Sequence, residues 1–318
     1  MGVPFALFKS FVTYVRTQTP RVYLAEARGT SRELLSRQFQ VFPQNPPHPL
    51  LVWKVNPPTI SKTKDPWVYG FDGKWLGRGL VIPIHRDVTH KETLWWSDSP
   101  SESISAFTTD IKPVSHLVKD NPPSGAISDW KPGIVRVIGE TWQGIPQQRC
   151  LVHVERDLKR LLPLHSPIEA TQQLRAIAVT ICYLPTLADR DRFVFQLELW
   201  HSEHESLLKE KTVPAAGATK KRWWYTHGNL RRAWRILTHD QGSLFRYLEE
   251  PLLPTTNNSL EGVNSHLARR RGLSKEYQVA MMFWQLALSR CKTPHLQRQL
   301  WVIWKQAVAA RKSTQNIT

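Results

Sequence analysis

Three short runs of strand-forming residues, separated by turn signals, most limit the folds open to this chain. They are WVYGFDGKW at residues 67–75, LVIPIH at 80–85 and TLWWS at 93–97. Runs rich in β-branched and aromatic residues, bounded by glycine or polar turns, are typical of neighbouring antiparallel strands. We therefore predict an antiparallel meander between residues 67 and 97, with the GRG of residues 77–79 in its first turn.

Strand-like and helix-like segments alternate after this meander. SISAFTTDIKPVSHLV (103–118) predicts a helix, AISD a strand that ends at Asp129, and KPGIVRVIGETW (131–142) the next helix. RCLVHV (149–154) then predicts a strand, and ERDLKRLL (155–162) a helix. A meander followed by strand–helix units predicts an α/β fold in which helices flank a mixed sheet.

Most of the remaining chain has helical patterns. Residues 166–250 contain little strand signal, so we predict an all-helical insertion there. The segments YQVAMMFWQLALSRC (277–291) and LQRQLWVIWKQAVAARK (296–312) also favour helices. At the amino end, PFALFKSFVTYVRT (4–17) has apolar residues at helical spacing.

Two further helices follow near the amino end. Thr19 and Pro20 signal the start of one, which stops at Gly29, and Thr30 or Ser31 can cap the next. The apolar residues Leu24, Leu34, Leu35 and Phe39 complete a pattern that resembles a helix-turn-helix. The second helix would then lie in the major groove of DNA, with Arg32, Arg37 and Gln38 contacting bases or phosphates. The alternative is an ordinary helical hairpin.

The charge balance favours a polyanionic partner. The chain has 43 Lys and Arg against 26 Asp and Glu, a net charge of +17. Nucleic acid is the first candidate and an anionic membrane the second. No apolar run is long enough to cross a bilayer, no signal-peptide pattern is present, and three scattered cysteines do not make a disulfide framework. We therefore expect a cytoplasmic, nucleoid-associated protein.

The segment TTNNSLEGVNSHLARRRGL (255–273) predicts a helix start with an acidic residue in its first turn. Asn257 and Asn258 are good N-caps, and Glu261 follows within one turn. One interpretation is structural, because Asn258-x-x-Glu261 has the spacing of a capping box and a first-turn glutamate suits the helix dipole. The other is that Glu261 is a metal ligand.

Two further carboxylates also have ordinary alternatives. Asp72 precedes Gly73 and could start a hairpin turn, although the strand pattern runs across it. Asp129 could cap the helix that follows it. Cys150 and His153 have the spacing of metal ligands, but two ligands alone do not make a zinc site.

Together these motifs resemble Mutator-like DDE transposases of bacterial insertion sequences. The order is Asp72, Asp129, C-x-x-H and then TTNxxxE, followed by the basic Arg269, Arg270 and Arg271. The resemblance covers roughly residues 20–290, and TTNNSLEGVN and RCLVH are its specific parts. It implies a ribonuclease-H-like catalytic domain in which Asp72, Asp129 and Glu261 bind two Mg²⁺ or Mn²⁺ ions. Cys150 and His153 would support the structure beside the site.

The resemblance also implies function and partners. A DNA transposase cuts at the terminal inverted repeats of its element and joins the freed 3′-hydroxyl to target DNA, within a homo-oligomer that holds both ends. Arg269–Arg271 would bind phosphates of the cut strand. Further DNA contacts would come from Trp223, Trp224, Arg231, Arg232 and Arg235, for which the alternative is a core tryptophan pair with a solvated basic face. Two other functions stay open: a non-catalytic DNA-binding protein derived from a transposase, and a ribonuclease-H-like nuclease without strand transfer.

The predicted domain order follows from these assignments. Residues 1–45 form a helix-turn-helix-like DNA-binding domain and 46–66 a proline-rich linker. The first part of the catalytic domain spans 67–165, the helical insertion 166–250, and the C-terminal part of the catalytic domain, with the helix bearing Glu261, 251–318.

Overall fold

The computed structural model describes residues 3–215, 222–267 and 274–315, without the side chains of residues 261, 264–267 and 312–315. The chain divides into two compact units. The first comprises residues 1–122 and 259–318, and the second comprises residues 123–258. Both contain helices and strands, so the predicted mixed α/β class is confirmed.

The first unit begins with five helices: α1 (Phe5–Thr17), α2 (Arg21–Glu26), α3 (Arg32–Phe39), α4 (Val41–Gln44) and α5 (Pro49–Val55). The apolar stripe of α1 is buried, as its spacing predicts. Ser31 caps α3, because its Oγ accepts the N–H of Leu34 at 3.1 Å. Of the apolar residues of α3, Leu35 and Phe39 are buried, whereas Leu34 is 43% exposed.

The predicted meander is confirmed. Strands β1 (Val68–Trp75), β2 (Val81–Asp87) and β3 (Glu92–Trp96) pair antiparallel in sequence order. The turn between β1 and β2 contains Gly77 and Gly79, both with positive φ, which glycine adopts without steric cost. A 3₁₀ turn at Thr59–Ser61 precedes the meander, and α6 (Ile104–Leu117) follows it.

The second unit starts with strand–helix units: β4 (Gly125–Ser128), α7 (Pro132–Thr141), β5 (Gln147–Arg149) and α8 (Leu151–Leu161). Strands β4 and β5 are parallel. The strand predicted at 149–154 is wrong beyond Arg149, because α8 begins at Leu151. Its apolar residues recur at helical spacing and are buried, at Leu151, Val154, Leu158 and Leu161.

The rest of the second unit is mainly helical, and the predicted all-helical insertion at residues 166–250 is wrong only where two short strands pair within it. It contains α9 (Glu169–Ala178), α10 (Leu187–Lys209), α11 (Gly228–Thr238) and α12 (Gln241–Phe245), with 3₁₀ turns at Ile181–Tyr183 and Arg246–Leu248. A short hairpin, β6 (Lys211–Thr212) and β7 (Trp224–Tyr225), interrupts the helices. One apolar cluster joins α8, α9, α10, α11 and α12.

The chain then returns to the first unit through α13 (Asn258–Leu267), α14 (Lys275–Arg290) and α15 (Pro294–Gln315). Trp284 of α14 and Trp304 of α15 are buried among Phe8, Phe11 and Phe42 of the amino-terminal helices. Their indole N–H groups donate to the carbonyls of Phe42 and Asn45, at 2.9 and 2.8 Å. The amino-terminal helices therefore share one core with α14 and α15. No helix among the described residues combines the length and apolar character needed to cross a membrane.

Candidate active site

Asp72 lies in the middle of a paired strand. It faces Ile84 across the β1–β2 ladder, so the hairpin-turn alternative is wrong. The residue after Asp72 is glycine for a reason unrelated to a turn, because a Cβ added to Gly73 would lie 1.7 Å from Oε1 of Glu102. Asp72 and Gly73 are thus consecutive residues within β1, and the glycine leaves room for the Glu102 carboxylate.

Helix α13 packs on the sheet face that bears Asp72. Phe71 contacts Phe107 of α6, with ring centroids 4.4 Å apart, and successive strand residues point to opposite faces. Asp72 therefore shares the other face with its partner Ile84. Ile84 belongs to the same buried cluster as Leu260 of α13. The side chain of Glu261, the next residue along α13, lies outside the described residues.

A buried arginine links α13 to the sheet. Nε of Arg86 on β2 donates to Oγ of Ser259 at 3.1 Å, and its two terminal nitrogens donate to Oγ1 of Thr93 and the carbonyl of Lys91. Burial lowers the pKa of Arg86 to about 10. The guanidinium therefore incurs a desolvation cost, which its hydrogen bonds offset while they fix the first turn of α13.

Beside Arg86, the sheet contains a buried polar chain. Nδ1 of His85 lies 2.6 Å from the Tyr69 hydroxyl, and its Nε2 lies 2.5 Å from Oδ2 of Asp110 on α6. Burial raises the pKa of Tyr69 well above its usual value, and the charge of Asp110 adds to this. Burial opposes ionisation of Asp110, but His85 and Ser97 outweigh it and keep the pKa of Asp110 below its usual value.

In the second unit, Asp129 follows the last residue of β4. Its Oδ1 accepts the N–H of Lys131 at 3.3 Å, and its Oδ2 lies 2.9 Å from the Lys131 ammonium. The residue between them, Trp130, has a φ of 68°. A bulky residue in that conformation is strained, and such strain is concentrated at functional sites. Helix α7 has Lys131 at its N-cap position without a side-chain cap, so Asp129 stabilises the turn before the helix.

The Cys150 thiol fastens the TTN segment to the junction of β5 and α8. Its Sγ accepts the N–H of Asn257 at 3.2 Å, and the next amide, that of Leu151, donates to the carbonyl of Thr255 at 3.0 Å. The Cys150 N–H donates to the carbonyl of Ser128, next to Asp129. Cys150 is fully buried and Asn257 is 1% exposed. The thiol is thus a buried hydrogen-bond acceptor for the TTN segment, and His153 lies in the first turn of α8.

The basic and aromatic candidates differ in exposure. Trp223 and Trp224 are 43% and 39% exposed, so they do not form a core pair. Lys211 lies over the Trp223 ring at 4.1 Å. Arg232 and Arg235 are exposed on α11, whereas Arg231 is half-buried and donates to the carbonyl of Leu208. On α3, all three candidates are exposed, namely Arg32, Arg37 and Gln38.

Part of the predicted site falls outside the described residues. This applies to Arg269, Arg270 and Arg271, and to the side chain of Glu261. Within the described residues, no three His, Cys, Asp or Glu side chains are grouped closely enough to hold a metal ion.

Two residues that position the site were not predicted from the sequence. Arg86 belongs to the charged triplet His85-Arg86-Asp87, which ends an otherwise apolar strand, and all of β2 is buried. Such a triplet in a buried strand is a usable signal, since buried charges need partners. The role of Ser259 has no sequence signal beyond its position in TTNNS.

No model of a known protein family matches the chain, and a comparison with curated proteins also finds no match.

Proposed function

We propose that this chain is a DDE-type DNA transposase with a ribonuclease-H-like catalytic domain. The observation that supports this most is the hydrogen bond from Asn257 to Cys150, which joins two motifs 107 residues apart. Unrelated chance matches to TTNxxxE and C-x-x-H would have no reason to meet. Here the contact fixes the position of the TTN segment, which leads directly into the helix bearing Glu261.

The position of Asp72 adds a second argument. It lies on the sheet face against which α13 packs, and Arg86 fixes the first turn of that helix. In the other unit, Asp129 follows Ser128, whose carbonyl accepts a hydrogen bond from the Cys150 N–H. Asp72, Asp129 and Glu261 thus each lie on or next to an element that strand pairing or hydrogen bonding holds in place.

The donor chemistry suits a hard divalent cation. Carboxylate oxygens are the ligands that Mg²⁺ prefers, and the Lys131 ammonium already occupies a cation position at Asp129. When bound, two Mg²⁺ or Mn²⁺ ions would neutralise charge on the scissile phosphate and on the attacking and leaving oxygens. We assign Asp72, Asp129 and Glu261 as the residues that hold them.

The proposed reaction has two phosphoryl transfers. Water attacks a phosphodiester at the element end, so that one P–O bond forms, another breaks and a 3′-hydroxyl is released. That hydroxyl then attacks a phosphodiester of target DNA, and the target's own 3′-oxygen leaves. Because two element ends must be joined to one target, the active form would be a homo-oligomer on DNA. The net charge of +17 fits such a partner.

The test is cleavage of a duplex that carries the terminal repeat flanking the coding region, with Mg²⁺, with Mn²⁺ and with a chelator. We expect cutting only with metal. Asp72→Asn, Asp129→Asn and Glu261→Gln should each lower the rate at least about 100-fold, with DNA binding retained. Asp157→Asn is the matched control, because the Asp157 side chain is 45% exposed and its carboxylate pairs with Arg160 on the same helix.

The outcomes separate three functions. Metal-dependent cutting followed by joining to a target plasmid supports the transposase. Cutting without joining indicates a ribonuclease-H-like nuclease. Tight DNA binding with no cutting under any metal indicates a non-catalytic DNA-binding protein. Full activity in the Asp129 and Glu261 variants would refute the assignment of the metal ligands.

A further inference from the structure

The positive charge of the chain is concentrated in the first unit. That unit contains 25 Lys and Arg against 12 Asp and Glu, whereas the second contains 18 against 14. From Tyr277 to the end of the chain there is no acidic residue at all. The helices that share the aromatic core therefore present an excess of cations.

A groove of about 660 Å³ lies between α1 and α2, and its lining contains three cations and no acid. Lys9 and Arg16 are exposed and seven residues apart on α1, so they lie on one face of the helix, about 10 Å apart along its axis. Arg28, just beyond α2, lines the opposite side.

These cations are oriented but not neutralised. Arg16 donates to the carbonyl of Lys292 at 3.3 Å, and Nη1 of Arg28 donates to Oγ of Ser10 at 3.3 Å. Within the described residues, Lys9, Arg16 and Arg28 form no ion pair. Nε of Arg28 is enclosed and has no hydrogen-bond partner among those residues, which costs free energy until an acceptor arrives.

We propose that this groove binds the phosphate backbone of duplex DNA through Lys9, Arg16 and Arg28. A row of cations two helical turns long matches a polymer of regularly spaced anions better than a single small anion. Guanidinium groups also suit phosphate oxygens, because their planar donors can contact two oxygens at once. The assignment rests on the proposed function and extends it, since it adds the groove between α1 and α2 to the DNA contacts expected from the exposed residues of α3.

The test is DNA affinity as a function of salt. The triple variant Lys9→Gln/Arg16→Gln/Arg28→Gln is compared with Arg136→Gln/Lys159→Gln/Arg160→Gln, which removes the same charge from cations paired with acids in the second unit. Binding to a 30-base-pair duplex is followed by fluorescence anisotropy in chelator, at several salt concentrations. Circular dichroism checks that both variants fold.

For the groove variant we expect a large loss of affinity and a salt dependence reduced by about 0.9 for each lost phosphate contact. The control should lose much less on both measures. Equal affinity and equal salt dependence of the two variants would overturn the proposal. So would a loss of binding to phosphatidylserine vesicles with DNA binding unchanged, which would indicate a membrane surface. Because binding is measured without metal, the result does not depend on whether the protein cuts DNA.

Discussion

The two units hold the two ends of the TTNNS segment by different chemistry. In the first unit, the buried guanidinium of Arg86 donates to Ser259, and in the second, the neutral thiol of Cys150 accepts from Asn257. The difference extends to the interiors. Among the described residues, the buried acidic and basic side chains are all in the first unit, at His85, Arg86, Asp87 and Arg290. The buried polar residues of the second unit carry no charge, as at Gln148 and Asn257.

The surfaces differ in the opposite sense. Some exposed cations of the second unit lie next to acids one helical turn away, as in Lys159–Glu155 and Lys209–Glu205. The cations of α1, α2 and α3 form no ion pair among the described residues. Paired charges stabilise their own helices, whereas unpaired ones are free to bind a polyanion. Ion pairs along the helices of the second unit therefore stabilise that unit, whereas the cations of α1, α2 and α3 are available for the proposed contact with DNA.

The largest effect should come from breaking a buried ion pair of the first unit. Nη1 of Arg290 lies 2.5 Å from Oε1 of Glu92, and Nη2 donates to the carbonyl of Asn56 at 3.0 Å. Arg290→Met leaves the Glu92 carboxylate without its partner, and we expect a loss of about 3–5 kcal/mol in the free energy of unfolding. Urea denaturation measures it. A loss below about 1 kcal/mol would show that the interior of this unit does not depend on charge.

The corresponding contact of the second unit should matter less. Cys150→Val keeps nearly the same volume but removes the acceptor of the buried Asn257 N–H. An unsatisfied buried amide costs about 1–3 kcal/mol, which sets the expected loss of stability. The control is Cys182→Val, at a half-buried thiol. Hydrogen exchange at the Asn257 amide should accelerate only in the Cys150 variant, and unchanged protection there would mean that this thiol does not hold the segment.

The sequence predicts the helices and strands more accurately than it predicts the contacts between them. The meander and most helices follow from local patterns, because alternation and helical spacing are properties of neighbouring residues. The strand predicted at RCLVHV is wrong because most of this segment belongs to α8, and a short apolar run fits a strand or a buried helix equally well. Trp284 against Phe42 and Cys150 against Asn257 were beyond reach, because each contact joins residues more than a hundred positions apart and has no local signature.

The smallest effect should come from the paired surface charges of the second unit. Oε1 of Glu155 lies 2.6 Å from Nζ of Lys159 on the next turn of α8, with the acid nearer the helix amino end, which is the favourable orientation. Lys159→Gln should lower stability by about 0.3–0.5 kcal/mol at low ionic strength. The difference in stability should vanish in 1 M salt, where the Debye length falls to about 3 Å. A cost that survives in high salt would mean that the Lys159 stem acts by packing, and the contrast between the two surfaces would then lie only in their partners.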